Sequence, residues 1–228
     1  MPGCPCCPPP VDYDPIFNDR AARDELRAYR RDGPQGTTRR LIDALVAEGV
    51  KGAAVLDVGA GVGVVGFELL DAGASSLTDI DASHAYLDAA RSEAERRGLE
   101  DRATFHFGDF VGLAPSIDLA DVVALDRVVC CYGDARALAA AAVDRSQRVI
   151  GLVYPIDRWW IRLGIRVANL ALRVGRQSYR GYVHPVRVVD GAIRSGGFER
   201  VFLKRGWIWQ VVVYRRVVSI DGLRRSPA

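Results

Sequence analysis

Val55-Leu56-Asp57-Val58-Gly59-Ala60-Gly61-Val62-Gly63 is an apolar run interrupted by one acid and closed by three alternating glycines. It predicts a strand that turns sharply into a helix. Each glycine removes a Cβ where the backbone bends, so that a ligand can lie against main-chain amides at the helix start. Proteins that bind sugar nucleotides, nicotinamide, flavin or S-adenosylmethionine (SAM) share such a loop, which alone specifies only a nucleoside cofactor. Asp57 narrows the choice: a carboxylate there would repel a diphosphate, whereas SAM has no phosphate and brings a cationic sulfonium and amino group.

Outward from this loop the pattern is a β/α alternation. Helices are predicted over 18–31 and 37–48, parted by Gly33-Pro34-Gln35-Gly36, with Thr37 as N-cap of the second. Strand 53–58 leads to helix 62–72, strand 75–80 to a helix capped by Ser83, and strand 102–107 to Gly108-Asp109-Phe110. Strand 121–126 is followed by Arg127 and helix 134–144, and strand 147–153 ends at Tyr154-Pro155. Nearly all-apolar strands imply burial on both faces and a parallel sheet. The runs 198–205 and 207–216, parted only by Gly206, suit an antiparallel hairpin instead. The expected fold is α/β: a Rossmann-like seven-stranded sheet, mostly parallel with an antiparallel C-terminal hairpin strand, and helices on both faces.

The 228 residues suit one domain, here 18–228 after a flexible Cys/Pro-rich tail over 1–17. No apolar run reaches the roughly 18 residues of a membrane span. The start Met1-Pro2-Gly3-Cys4 lacks a secretory pattern, so a cytoplasmic location is expected. Five cysteines, at 4, 6, 7, 130 and 131, suit reduced thiols, and Cys4, Cys6 and Cys7 are too few for a closed zinc site, so no metal is expected. The net charge of +3 hides an asymmetry: residues 1–144 hold 14 Arg/Lys against 24 Asp/Glu, and residues 145–228 hold 17 against 4. The basic third could attract an anionic substrate or membrane surface, or simply be solvated. Within it, 157–186 is long for a connection and is expected to act as a helical lid. Its stretch 158–175 reads as an amphipathic helix with Trp160, Leu163, Val167, Leu170 and Val174 on one stripe and Arg158, Arg162, Arg166 and Arg173 on another. Such a helix can cover a substrate, rest peripherally on an anionic bilayer, or pack on the core with a solvated back.

The glycine loop, Asp79-Ile80-Asp81, Gly108-Asp109-Phe110, Asp121-Val122-Val123-Ala124-Leu125-Asp126 and the hairpin together resemble the class I SAM-dependent methyltransferases over roughly residues 25–216. Tyr29-Arg30-Arg31-Asp32-Gly33-Pro34 and Leu125-Asp126-Arg127-Val128-Val129-Cys130-Cys131-Tyr132 are similar to the magnesium-protoporphyrin O-methyltransferase branch. The resemblance implies that Gly59, Ala60, Gly61 and Gly63 line SAM and that Asp57 attracts its amino end. It also implies that Asp81, beside Ala82, accepts from the ribose hydroxyls in preference to Asp79, being nearer the helix start. Asp109 would accept from the adenine amino group, with Phe110 supplying an amide or a ring face. Asp126 would hold the SAM amino group or shape the acceptor pocket, and Tyr29 and Thr37 would fold over the cofactor or serve as packing and cap.

Arg127 could clamp a substrate carboxylate bidentately, or merely pair with Asp126 for the fold. Methyl transfer from a sulfonium needs alignment and exclusion of water more than a base. If one is used, His184 is the best of three histidines, with Tyr132 and Tyr154 comparable, while a structural role for His184 stays open. Cys130 and Cys131 read as small apolar packing. The expected function is O-methylation of a small or medium anionic acceptor, carboxylate-bearing or porphyrin-like. A nucleic-acid methyltransferase or binder is the alternative suggested by the basic third and by Trp159, Trp160, Trp207 and Trp209. No Asn-Pro-Pro-Tyr-like or Asp-Pro-Pro-Tyr-like tetrapeptide follows the fourth strand, which argues against it. A nicotinamide oxidoreductase is disfavoured by Asp57 and the hairpin, and a non-catalytic SAM-binding scaffold stays open.

Overall fold

A computed structural model describes Tyr13 and residues 15–217. Cys4, Cys6 and Cys7 and most of the expected tail lie outside the described residues.

Two helices precede the sheet. Asn18 caps α1 (Asp19–Asp32) through its side chain, which accepts from the amides of Arg20 and Ala21. α2 (Gly36–Ala47) begins earlier than expected, with Gln35 at its N-cap and no side-chain cap bond, so Thr37 is helical and is not the cap. The chain then alternates β1 (Ala54–Val58), α3 (Val64–Asp71), β2 (Ser76–Asp81), α4 (His84–Arg97), β3 (Ala103–Phe107), a short α5 (Phe110–Leu113), β4 (Ala120–Asp126), α6 (Ala135–Arg145) and β5 (Ser146–Pro155). Ser83 does cap α4, accepting from the Tyr86 amide at 3.4 Å. After α7 (Trp159–Val174) and α8 (Val186–Ser195) come β6 (Phe198–Arg205) and β7 (Trp209–Arg216).

These seven strands form one sheet in the order β3-β2-β1-β4-β5-β7-β6. β1 to β5 pair in parallel, and β7 pairs antiparallel with both β5 and β6. Alternate residues of each strand serve opposite cores: Val55, Leu77 and Val149 join Leu41, Leu45 and Phe67 on one face, and Leu56, Ile80 and Ile150 join Leu138, Val189 and Ile193 on the other. This two-sided burial accounts for the unbroken apolar strands. The chain reverses direction across the sheet between β1 and β4, which brings the glycine loop after β1 beside Asp126-Arg127 at the end of β4. Open α/β sheets bind ligands at such a switch point.

Two expectations shift. The second hairpin strand starts at Trp209, leaving Trp207 and Ile208 in the turn at 81% and 45% exposure. The apolar stripe of α7 faces outward: Trp160, Leu163, Val167, Leu170 and Val174 are all exposed, and Ile161 is the helix's buried residue.

Candidate active site at the β1–β4 switch point

Three glycines set the loop, at φ +60° for Gly59 and Gly61 and +81° for Gly63. At Gly59 the need is also spatial, since a Cβ would lie 2.5 Å from Val128 Cγ2. A Cβ on Gly61 would have Tyr86 at 3.4 Å and the Glu25 carboxylate at 3.8 Å, so this glycine lies beneath a Tyr86–Glu25 hydrogen bond of 3.1 Å. Gly63 occupies the N-cap of α3.

Asp57 has a task the sequence did not suggest. Only 1% exposed, it accepts from the Gly66 amide at 3.0 Å and so closes one of the free donors in the first turn of α3. Burial, reinforced by the charges of Asp126 and Asp81, pushes its carboxyl up to about 8 despite that bond. Its register partner Asp79 is fully buried with neither oxygen hydrogen-bonded, and desolvation together with Asp57 holds it well above the usual carboxylate range.

Asp81 and Asp79 therefore differ in kind. Asp81 Oδ2 accepts from the Gly61 amide at 2.9 Å and Oδ1 from the Ser83 amide at 2.8 Å, tying the glycine loop to the turn that carries Ala82. Burial raises its carboxyl while these amides oppose the shift. A carboxylate has about four lone-pair sites, so further donors can still be accepted. Asp109 caps α5 and accepts from the Tyr132 hydroxyl at 3.1 Å, while burial and Asp109 push that phenol up. The Phe110 ring is 4% exposed in the α6-side core, which leaves its amide, and not its ring face, for a ligand.

At the end of β4, Asp126 Oδ2 accepts from Thr38 Oγ1 at 2.5 Å and lies 3.4 Å from Arg127 Nη2. Asp126 Oδ1 is buried without a hydrogen bond and has only an ionic contact with Arg127 Nε at 3.4 Å. Arg127 sits at φ +63°, a costly conformation for a side-chain-bearing residue, and its side chain keeps 49% of its exposure. Burial and the Asp126 carboxylate act oppositely on its guanidinium, and the carboxylate prevails in the upward direction. A cavity of about 330 Å³ runs from Arg127 and Thr38 past Val64 to Thr37 and the Gly33–Gly36 bend, with Glu25 and Tyr29 on its wall. The Tyr29 side chain is 6% exposed and its hydroxyl donates to Glu68 at 2.9 Å.

The segment after α7 closes the other side. The Tyr182 amide donates to the Cys130 carbonyl at 2.7 Å, and His184 Nε2 lies 2.8 Å from the Tyr132 carbonyl, a contact that assigns the proton to Nε2. Tyr13, Phe17, Tyr86 and Tyr179 pack edge-on or tilted at centroid spacings of 5.7 to 6.2 Å, and the Ser83 hydroxyl donates to the Phe17 carbonyl at 2.7 Å. Tyr13 and Phe17, inside the expected tail 1–17, thus pack against Tyr86 and Tyr179. Cys131 Sγ lies 3.1 Å from Tyr179 Oη and 3.8 Å from Cys130 Sγ. Hydrogen bonding from Cys130 and Tyr179 pulls its thiol down against burial. Tyr154 is the residue the fold removes from the site. It is 1% exposed on the α8 face with its hydroxyl unpartnered, and burial raises its phenol to about 12.

Thr38, Glu25, Tyr86, Phe17 and Tyr179 were missed from sequence. Thr38 meets Asp126 across 88 positions of chain, and no local pattern announces such a pairing.

Residues 55–150 match a family model described as a methyltransferase domain. The ribosomal protein L11 methyltransferase of Shewanella woodyi is 32% identical over 74 residues, 32% of this chain and 25% of that protein, so the likeness spans about a quarter of that relative's length. A magnesium protoporphyrin IX methyltransferase from Synechocystis, solved with bound S-adenosylhomocysteine, superposes with a TM-score of 0.67 at 21% identity, covering 90% of this chain and 100% of that one. An O-methyltransferase family protein from Burkholderia thailandensis gives 0.68 at 18% identity, covering 90% of this chain and 63% of that one. Motif spacing, sheet order and the domain match converge: residues 55–150 match a methyltransferase domain, and the chain has the fold of the solved methyltransferases it superposes on.

Proposed function

We propose that the chain moves the methyl group of SAM to an oxygen of a small or medium acceptor that carries an anionic group. Arg127 is the observation that carries this reading: a half-exposed guanidinium in a strained backbone conformation, held by Asp126 and Thr38 where the glycine loop and β4 meet. A guanidinium fork matches a carboxylate in two hydrogen bonds, and strain kept at a ligand-facing residue is typical of functional positions.

The residues present fit SAM. The bare loop Gly59–Gly63 offers backbone to approach, Asp81 ends β2 with lone pairs to spare for ribose hydroxyls, and the orphaned Asp126 Oδ1 suits a cationic amino group. Asp109 and the Phe110 amide would meet the adenine edge. Bound SAM supplies an electrophilic methyl carbon on a sulfonium. The protein's part is then alignment: Arg127 orients the acceptor, and the segment 157–186, acting as a lid with the Tyr13–Phe17–Tyr179 roof, keeps water out. A carboxylate acceptor is already ionised near neutrality and needs no base. For a phenolic acceptor, the second ring nitrogen of His184 is the available base and the Tyr132 hydroxyl a polar neighbour. The Synechocystis neighbour acts on a porphyrin, and an arginine-rich lid over a broad apolar acceptor with carboxylates would suit that substrate class here.

The test is transfer of labelled methyl from SAM to a panel of amphiphilic carboxylates, each paired with its methyl ester. The reading expects label in the acids, released by alkali as an ester is, and none in the esters. Label appearing only in amines or in RNA would overturn it.

A further inference from the structure

The helix α7 has two apolar faces, and the fold uses one. Ile161, Ile165, Asn169 and Leu172 turn inward: Ile161 is buried, Ile165 lies against Gly181, and Asn169 exchanges two 2.8 Å hydrogen bonds with Gly181. The opposite face carries Trp159, Leu163, Val167, Leu170 and Val174 at 51% to 78% exposure. The β6–β7 turn lies near the start of the helix: the Ile156 amide, three residues before it, donates to the Ile208 carbonyl at 2.8 Å, beside the exposed Trp207 and Ile208. Scattered exposed apolar residues are ordinary, but a row on one helix near a second apolar turn is not.

Charge identifies the occupant. Residues 157–186 contain six arginines and a single acid, Asp157, which is engaged at 2.6 Å by Arg162. Arg162, Arg166 and Arg173 are exposed and, at 100° per residue, form a ridge along one border of the apolar row. A second copy of this chain would set these arginines against one another, and a phosphodiester strand would leave the apolar row unburied. An anionic bilayer satisfies both parts: apolar side chains and tryptophan rings enter the interface while arginines remain at headgroup level. The 16-residue helix is about 24 Å long at 1.5 Å per residue, enough to lie in the membrane plane. Among the described residues no helix is long and apolar enough to cross.

We infer that α7 and the Trp207-Ile208 turn form a peripheral docking face for an anionic lipid surface. The lid segment that follows α7 leads straight to Cys130, Tyr132 and Arg127, so docking would open the site toward acceptors dissolved in the bilayer.

Full-length protein is sedimented with vesicles of phosphatidylcholine containing 30% phosphatidylglycerol, and with phosphatidylcholine alone, while tryptophan emission is recorded. The inference expects binding to the anionic vesicles, weakened at least about tenfold by molar salt, with a blue-shifted emission. The double variant Val167→Glu/Leu170→Glu, at two solvent-facing positions, should lose at least about tenfold in partitioning with an unchanged melting temperature. Because lipid is read without SAM, failure here leaves the methyltransfer reading standing, and the converse also holds. No binding to anionic vesicles at low salt would overturn the inference. Undiminished binding by the double variant would do the same, as would a stable dimer that the double variant dissolves or a tighter association with RNA than with lipid.

Discussion

The segment 53–83 and the segment 157–186 meet at one site and are built from opposite materials. The first holds five acids and no Lys or Arg, the second six arginines and one acid. In the first, three of the acids point into the fold: Asp57 onto the Gly66 amide, Asp79 into a dry core, Asp81 onto two turn amides. In the second, most charges point to water and so do the apolar residues beside them. The acidic half is therefore a seat whose geometry is set by backbone hydrogen bonds, and the basic half presents its charges and its apolar row to solvent. The two halves should respond differently to perturbation.

The largest effect is expected from Gly61→Leu. At φ +60° beneath Tyr86 and Glu25, a branched side chain is strained and occupies the ligand side of the loop, so calorimetric SAM affinity should fall by at least about a hundredfold while circular dichroism stays native. Full affinity in a folded variant would put the cofactor elsewhere. Next is Arg127→Ala, which should raise KM for a carboxylate acceptor by about 10–100-fold, the value of a charged bidentate contact, and shift the inhibition constant of the corresponding methyl ester, which accepts no methyl, by less than about threefold. Equal effects on both would reduce Arg127 to a structural ion pair with Asp126.

Thr38→Val comes third. It removes the donor that Asp126 Oδ2 accepts from and a partner of Arg127, and should cost about 1–3 kcal/mol in urea unfolding with little change in SAM affinity. The smallest effect is on the pH profile of stability. Asp57 and Asp79 have folded-state values raised by burial, so their contribution is full below about pH 4, the unfolded carboxylate value, and is lost as pH rises toward about 8 for Asp57. Glu93, buried but hydrogen-bonded by Arg30, Arg96 and Arg97, is held down at about 2 and contributes in the opposite sense, losing stability as pH falls from about 4 toward 2. Asp79→Leu, similar in shape and needing no hydrogen bond, should flatten the alkaline limb alone. An unchanged limb would mean that Asp79 finds a partner in solution.

Legibility from sequence followed the same division. The glycine loop, the strand ends and the hairpin were readable because glycine at positive φ, apolar periodicity and a short loop between two strand-like runs are local constraints. Asp57 was found but its task was not: a carboxylate beside a glycine loop reads the same whether it meets a ligand or the Gly66 amide nine residues further on. Tyr154 was placed by its position at a strand end, yet strand parity sends its ring to the α8 side. Thr38, Tyr86, Phe17 and Tyr179 depend on packing between segments far apart in the chain, for which sequence has no period. The α7 stripe was visible as amphipathic, but which face the fold would take was decided by Gly181 and Asn169.

The central claim is that the seat accepts a cationic methyl donor and refuses a dinucleotide, because the Gly66 amide in the first turn of α3 already serves Asp57 and because Asp126 keeps an oxygen without a hydrogen bond. Isothermal titration of the protein with SAM and, separately, with NADH measures this directly. The account predicts saturable one-to-one heat with SAM and none with NADH. Saturable NADH binding in a protein indifferent to SAM would contradict it.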